Sequence, residues 1–503
     1  MPSKVKVLFL SFYFILGSSV ADDLTIRDGF YRLSYDSLSL PNDEELGLLG
    51  ANYLLNFDDG YLGLGVYSAV DGERGGFFTG GVELGHKFEL GSGFVIDSGL
   101  FIGGGGGGSA PQGGGLMLRP HLGLAVDIGF ADLSLGVSKV KFPNGAIDSD
   151  QLNLQLDIPF GFVYKGSNNA KSDNNDILIL GSVSGSRIGW KDHYMAPIYQ
   201  HYMIDQGVKD TSGQLVTNDM DLIGFEYGTK LGKDYYSYLE TSGAGSSGTD
   251  GFAEVLGGVG YSSALTRNFG FNIKTALGAA GGGGVDTGGG LIHKQSVGLY
   301  VRPFDRAAIS AEIGRVGAFD GEFKATTSKI SLQYPFKLLS SGGYVRKASN
   351  YDYTNDGLWG VRAINQTYLG SNTLRKNGSN DSVQLLGVKL DRYLNDDTYL
   401  TGQALAAYQG EAGGYAVGLV GIGREYKVNN NLNLFAEVNA GVAGGGGINT
   451  GGGAIVQPML GLNYNLNPDF SLQTSIGKLK AIKDGGDTSV VEFSLQYKFK
   501  TVE

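Results

Sequence analysis

One frame occurs three times in this 503-residue chain, and any fold it adopts must repeat with it. At its centre is a glycine-rich run: GGGGGGSAPQGGG at Gly103–Gly115, GGGGVDTGGG at Gly281–Gly290 and GGGGINTGGG at Gly444–Gly453. A phenylalanine follows the last glycine of each run after 45 or 46 residues, at Phe160, Phe336 and Phe499. A glycine–aromatic pair precedes each run, at Gly76–Phe77, Gly251–Phe252 and Gly414–Tyr415, with Tyr61, Tyr235 or Tyr399 further upstream. Recurrence at a period of 163 to 175 residues means three homologous units, so the chain reads as one unit used three times.

Within a unit the pattern is period two, the signature of β-strands. Val491, Phe493, Leu495, Tyr497 and Phe499 share one face, with Glu492, Ser494, Gln496 and Lys498 on the other. The second unit repeats this with Ile330, Leu332, Tyr334 and Phe336 against Ser331, Gln333 and Lys337. Eight such segments fit each unit. In the third they are 357–369, 382–394, 398–409, 413–427, 431–443, 453–466, 469–480 and 489–500. Short turns such as Asn395-Asp396-Asp397 alternate with longer loops such as 205–219, 371–381 and 481–488. An even strand number with short turns on one side and long loops on the other is the pattern of a transmembrane antiparallel β-barrel.

The ends and the composition bound the location. Lys4 and Lys6, the apolar Val7–Leu16 and Ser19-Val20-Ala21 read as a signal peptide cleaved before Asp22. Zero cysteines exclude disulfides, thiolate metal sites and cysteine nucleophiles. Glycine at 85 residues is far above the usual share of ~7%, yet it interrupts strongly alternating aromatic segments, which argues against disorder. A net charge of −11 argues against nucleic acid as a partner.

These features together resemble the Gram-negative outer-membrane β-barrel superfamily: the signal segment, the absence of cysteine, the alternating strands, and the aromatic-rich final strand FSLQYKF at Phe493–Phe499. The chain departs from the pattern in one place, since Lys500-Thr501-Val502-Glu503 follows Phe499 where members often end on an aromatic residue. The resemblance implies bacterial outer-membrane residence, surrounding lipid and lipopolysaccharide, and an envelope protein or polysaccharide as the class of partner. On this reading Tyr61, Tyr235, Tyr399, Phe160, Phe336 and Phe499 are expected to be interfacial aromatics at the membrane rim.

Eight strands suffice to close a barrel filled by side chains, so three units make either three tandem barrels or one 24-stranded barrel. The junctions Lys165–Asp192 and Leu338–Asp356 are longer than a tight turn. Pro159 and Pro335, which have no N–H to donate, are expected to stop pairing there. Each unit also carries both charge signs on its inner faces, in Glu83, Asp97 and Arg119, in Lys274, Lys294 and Glu312, and in Glu437 and Lys498. Three barrels are therefore preferred. The expected units are 1–21 (signal peptide), 22–166, 167–340 and 341–503.

No motif points to catalysis, a cofactor or a metal. The glycine runs contain GxGxxG only as any polyglycine does, with no helix to follow. Gly281–Asp286 opens like a calcium nonapeptide, but there is no tandem and the other runs lack the aspartate. His121 with Asp97 and Glu83 reads better as a structural network than as an acid–base cluster. The Tyr-rich segment Tyr194–Tyr202 reads as girdle before sugar platform, and the Asp173–Asp176 and Asp484–Asp487 loops as solvated tips. Across the three copies the triplets Gly113–Gly115, Gly288–Gly290 and Gly451–Gly453 persist while the tips vary. Glycines Gly113, Gly114, Gly115, Gly288, Gly289, Gly290, Gly451, Gly452 and Gly453 are thus expected to serve close backbone packing. The function expected is structural or surface-interacting and non-enzymatic, with a porin-like or export channel through one wide barrel as the alternative.

Overall fold

The structure, a computed structural model, describes residues 25–502 apart from 58–59, 92, 168–187, 246–248, 250, 305–306, 342–345 and 348–355. The signal segment 1–21 and the Asp173–Asp176 loop lie outside the described residues. All regular elements among the described residues are strands, and the pairings are antiparallel.

Strands β1 (Thr25–Leu40), β2 (Glu44–Phe57), β3 (Gly60–Gly72), β4 (Phe78–Gly91), β5 (Phe94–Gly106), β6 (Met117–Asp127), β7 (Asp132–Lys141) and β8 (Asp148–Gly166) pair in order. β8 then returns to β1, from Asp36↔Asn153 to Thr25↔Tyr164. A second circuit runs through β9 (Ile188–Ile204), β10 (Met220–Lys230), β11 (Tyr235–Ala244), β12 (Ala253–Ala264), β13 (Phe269–Gly281), β14 (Leu291–Phe304), β15 (Ala307–Ala318) and β16 (Lys324–Ser341). β16 returns to β9, from Ala325↔Ile204 to Ser341↔Ile188, and the two-residue β17 (Arg346–Lys347) lies against the start of β9. The third circuit comprises β18 (Asp356–Tyr368), β19 (Val383–Tyr393), β20 (Thr398–Gln409), β21 (Ala416–Lys427), β22 (Leu432–Gly444), β23 (Ala454–Asn465), β24 (Phe470–Ala481) and β25 (Asp487–Val502). β25 returns to β18 from Val490↔Tyr368 to Val502↔Asp356. A few pairs at the end of β8 join the circuits into one continuous sheet: Phe162↔Ser340 and Gly161↔Ser341 to β16, Gly166↔Phe499 through Tyr164↔Thr501 to β25.

The alternation has an unusual sign. On β25 Glu492, Ser494 and Gln496 are buried while Phe493 is 61% exposed. On β6 Arg119 and His121 are buried while Leu122 and Leu124 stand outside. Across β13, β14 and β15 the neighbours Ile273, Val297 and Ile313 form an outward apolar row. The polar face is inside and the apolar face outside.

Apolar residues also fill the loop end of each circuit. Phe77, Phe252 and Tyr415, from the recurring glycine–aromatic pairs, are almost completely buried there. Each is fixed by the same bond, its carbonyl accepting from the amide of Ala69, Ala244 or Ala407 at 2.9 to 3.0 Å. A smaller cluster of Val163, Trp190, Leu339 and Val502 gathers all three circuits at the other end.

The prolines do not stop the strands. Phe30↔Pro159 and Tyr194↔Pro335 are both paired, and β8 and β16 continue to Gly166 and Ser341. On the opposite side the last pairs are Asp132↔Asp157 and Ala308↔Gln333, each two residues short of the proline. The missing N–H therefore falls where β7 or β15 has already ended. At the matching place in the third circuit the amide of Lys498 still donates to Asp469 O at 2.7 Å. The extra junction length is accounted for partly by these strand extensions.

Candidate functional site

The glycine runs meet one another's circuits, and they do so three times in the same way. Gly115, Gly290 and Gly453 have φ near +100° (96, 100 and 99°), which only glycine adopts without strain. Their amides close matching turns onto Gln112, Thr287 and Thr450 carbonyls. A Cβ at Gly115 would strike the carbonyl oxygen of Ala407, one at Gly290 that of Ala69, and one at Gly453 that of Ala244. Those three alanines are the ones that hold the buried aromatics. So the first hairpin sits on the third circuit, the second on the first, and the third on the second.

The other triplet positions divide between two jobs. Gly113, Gly288 and Gly451, with φ of 56 to 58°, face their own circuit's next loop at Asn144, Asp320 and Gly485. Gly114 faces Tyr408 and Gln409 across the seam, and Gly289 faces Asp71. Gly452 has φ +102°. The glycine–aromatic loop reciprocates: Gly76 lies against Gly281 and Gly282, Gly251 against Gly445, and Gly414 against Gly107. The amide of Gly75 donates across the seam to Gly288 O at 2.9 Å.

Behind their tips the hairpins are braced differently. In the second circuit the Thr211 amide, from the 205–219 loop, donates to Gly284 O at 2.9 Å. That loop turns on Asp210, whose carboxyl the Ser212 hydroxyl and the Gln214 amide hold below the usual range. In the third, Lys376 and Asn449 amides bond Gly447 O and Leu374 O, at 2.9 and 2.7 Å. The first circuit has only the tight Pro41–Asp43 turn at that place, with Asn42 and Asp43 left-handed, and its hairpin leans instead on Ala146 through Pro111 O.

Each interior is occupied by a charged network. Arg32 meets Glu83, Asp97 and Asp157 at 2.7, 2.7 and 2.8 Å, and Arg119 meets Asp36 at 2.8 Å. His121 is held between Asp97 Oδ2 at 3.2 Å, Arg32 Nη1 at 3.1 Å and the Tyr61 hydroxyl at 3.2 Å. In the second circuit Lys274 and Lys329 share Glu226 and Glu312, while Lys329 and Lys294 share Glu240, at 2.5 to 2.9 Å. In the third Arg362 binds Asp391 and Glu437 at 2.6 Å each, and Lys389 binds Glu437 at 2.8 Å. In each circuit the cations are fully engaged by carboxylates, which outnumber them. Among the described residues no cluster of three or more His, Asp or Glu is placed to hold a metal.

Two of the expected rim aromatics are corrected. Tyr61 and Tyr399 are 3% and 2% exposed and point inward. Tyr61 donates to Asp97 at 2.9 Å and Tyr399 to Glu437 at 2.8 Å. Each is the second residue of its strand, whereas Tyr235 is the first, and one residue reverses the face. Tyr235 is accordingly outside at 62% exposure, and the buried Tyr236 takes the inward place. Phe160, Phe336 and Phe499 are half-buried in aromatic groups, with Phe160 against Tyr31 and Tyr53 at 4.6 and 4.7 Å, Phe336 against His193 at 5.4 Å and Phe499 against Tyr497 at 5.7 Å. Removing one charge-assisted hydrogen bond costs about 1.5–3 kcal/mol. Tyr61→Phe is expected to lose that much in an unfolding titration, and Tyr235→Phe less than about 0.5 kcal/mol.

No protein-family model matches the chain, and no curated protein does. Among solved structures it is similar to the siderophore receptor PirA from Acinetobacter baumannii, with 9% identity over 96% of this chain and 81% of that one, at a TM-score of 0.27. It is also similar to OccK11 (OpdR) from Pseudomonas aeruginosa, with 11% identity over 94% and 96% and a TM-score of 0.22. Likeness at this level carries no functional argument.

Proposed function

We propose that the chain is an integral outer-membrane protein of the Gram-negative type, built as three homologous eight-stranded barrels with a structural or surface-interacting role. The observation that carries this reading is the inside-out distribution of side chains. Ion pairs buried at 0–5% exposure lie inside, while leucines, isoleucines and valines exposed by half or more lie outside. A soluble sandwich would reverse that order, because apolar area gains about 25 cal/mol per Å² on leaving water. In a bilayer the order is favourable. The three circuits, each returning to its own first strand, support separate barrels, and the units 22–166, 167–340 and 341–503 follow from that. The first 21 residues are the export signal in this scheme, and lipid with lipopolysaccharide is the surrounding medium.

The role is non-enzymatic, with any envelope protein or polysaccharide partner met at the loops. Interiors filled by paired charges and capped by Phe77, Phe252 and Tyr415 argue against the channel alternative. Cell fractionation checks the location: the mature protein is expected in the outer-membrane fraction and soluble only in detergent. Recovery as a soluble periplasmic protein would remove the proposal. In planar bilayers no stable conductance above background is expected, and a large one would restore the wide-channel alternative.

A further inference from the structure

We propose that each unit's glycine hairpin and its glycine–aromatic loop form a self-complementary docking pair. Its partner is another copy of the same unit, and these contacts hold the three barrels in a ring independently of the linking chain. The inference rests on the reading of three closed barrels given above. Every unit carries both halves. Hairpin one docks on loop three, two on one, and three on two, each with its triplet's last glycine against the equivalent alanine carbonyl at Ala407, Ala69 or Ala244. Such contacts are head-to-tail, and a head-to-tail contact that closes after three members gives a finite ring.

The seam between the third and first units is the informative one. Units one and two are joined by 168–187 and units two and three by 342–355, but no covalent link joins three to one. Its contacts nevertheless match those of the other seams, with Gly104, Gly114 and Gly115 against Ala406–Gln409 and Gly414 against Gly107. Much of the docking is backbone on backbone, with the last tip residue adding a side chain at two seams, Gln112 against Gly413 and Thr287 against Gly75. At the opposite end, β8 adds its short pairings with β16 and β25, and Lys165 meets Asp356 at 2.8 Å.

The test uses the full chain with protease sites placed within 168–187 and 348–355, purified in detergent and then cut. All three fragments are expected to elute as one complex at the position of the uncut chain. A second chain carries Gly75→Val and Gly104→Val. Neither glycine has a positive φ, and the atoms a Cβ would meet belong to another unit: Thr287, Gly288 and Gly290 for Gly75, Ala406 and Ala407 for Gly104. A Cβ at either position meets the neighbouring unit first, so the two substitutions are expected to weaken each seam by roughly tenfold or more. After cutting, the first fragment is expected to leave while the second and third stay together. Separation of the unaltered fragments on cutting, or retention of the first fragment in the double variant, would overturn the docking. Circular dichroism and protease resistance separate the two readings. Fragments that part but remain β-rich refute docking alone, whereas fragments that lose their protection on cutting refute closed barrels.

Discussion

Arg32→Met is expected to destabilise the protein by about 3–5 kcal/mol, the cost of stranding buried charges when one partner of an ion pair is removed. Arg32 is wholly buried and is the hub for Glu83, Asp97 and Asp157, so its loss leaves three carboxylates facing one another. Among the described residues His121 and Lys87 still pair with Asp97 and Asp157, and Glu83 keeps only neutral hydrogen-bond donors, Asn52 and Tyr67. Denaturant unfolding of detergent-refolded protein would read the shift. Arg32→Met combined with Asp97→Asn and Asp157→Asn should recover most of it, since two of the stranded charges go too. A single variant as stable as the parent would mean that the network does not bear on stability.

Ile313→Arg is expected to cost about 2–4 kcal/mol, the penalty for a cation on the lipid face near the bilayer midplane. Ile313 lies mid-strand on β15, beside Val297, and is 57% exposed to whatever surrounds the protein. Were water the surroundings, an exposed isoleucine would exchange for arginine within about 0.5 kcal/mol. The same substitution thus distinguishes the two media by its size. Stability in lipid vesicles is the measurement, and Ile313→Leu, expected to be neutral, serves as its control.

The strands were legible because alternation is local. The third unit's expected segments 398–409 and 431–443 fall on β20 and β22 within a residue, and every inner-face charge named from sequence is buried or nearly so. For Tyr61 and Tyr399 position next to a turn does not fix the face; parity does, and each is an even number of steps from a buried neighbour, Tyr67 and Thr401 respectively. The prolines misled because their effect depends on where β7 and β15 end, which is a property of the neighbouring strand. Phe77, Phe252 and Tyr415 were visible as a recurring position, but nothing local says that they turn down into the barrel mouth. The hairpin seams are contacts between residues more than 150 positions apart, such as Gly290 and Ala69, and periodicity carries no such information.

Covalent linkage changes what the outward face can be. An assembly of three separate, identical chains would show the same rim three times. Here the loops after the first strands are the tight Pro41–Asp43 turn and the longer 205–219 and 369–382 segments, and the hairpin tips read Ser-Ala-Pro-Gln, Val-Asp-Thr and Ile-Asn-Thr. The scaffold keeps its rotational order while its exterior has none. A molecule that recognises one of these rims meets it once per chain, so binding there has a stoichiometry of one and no avidity from repetition.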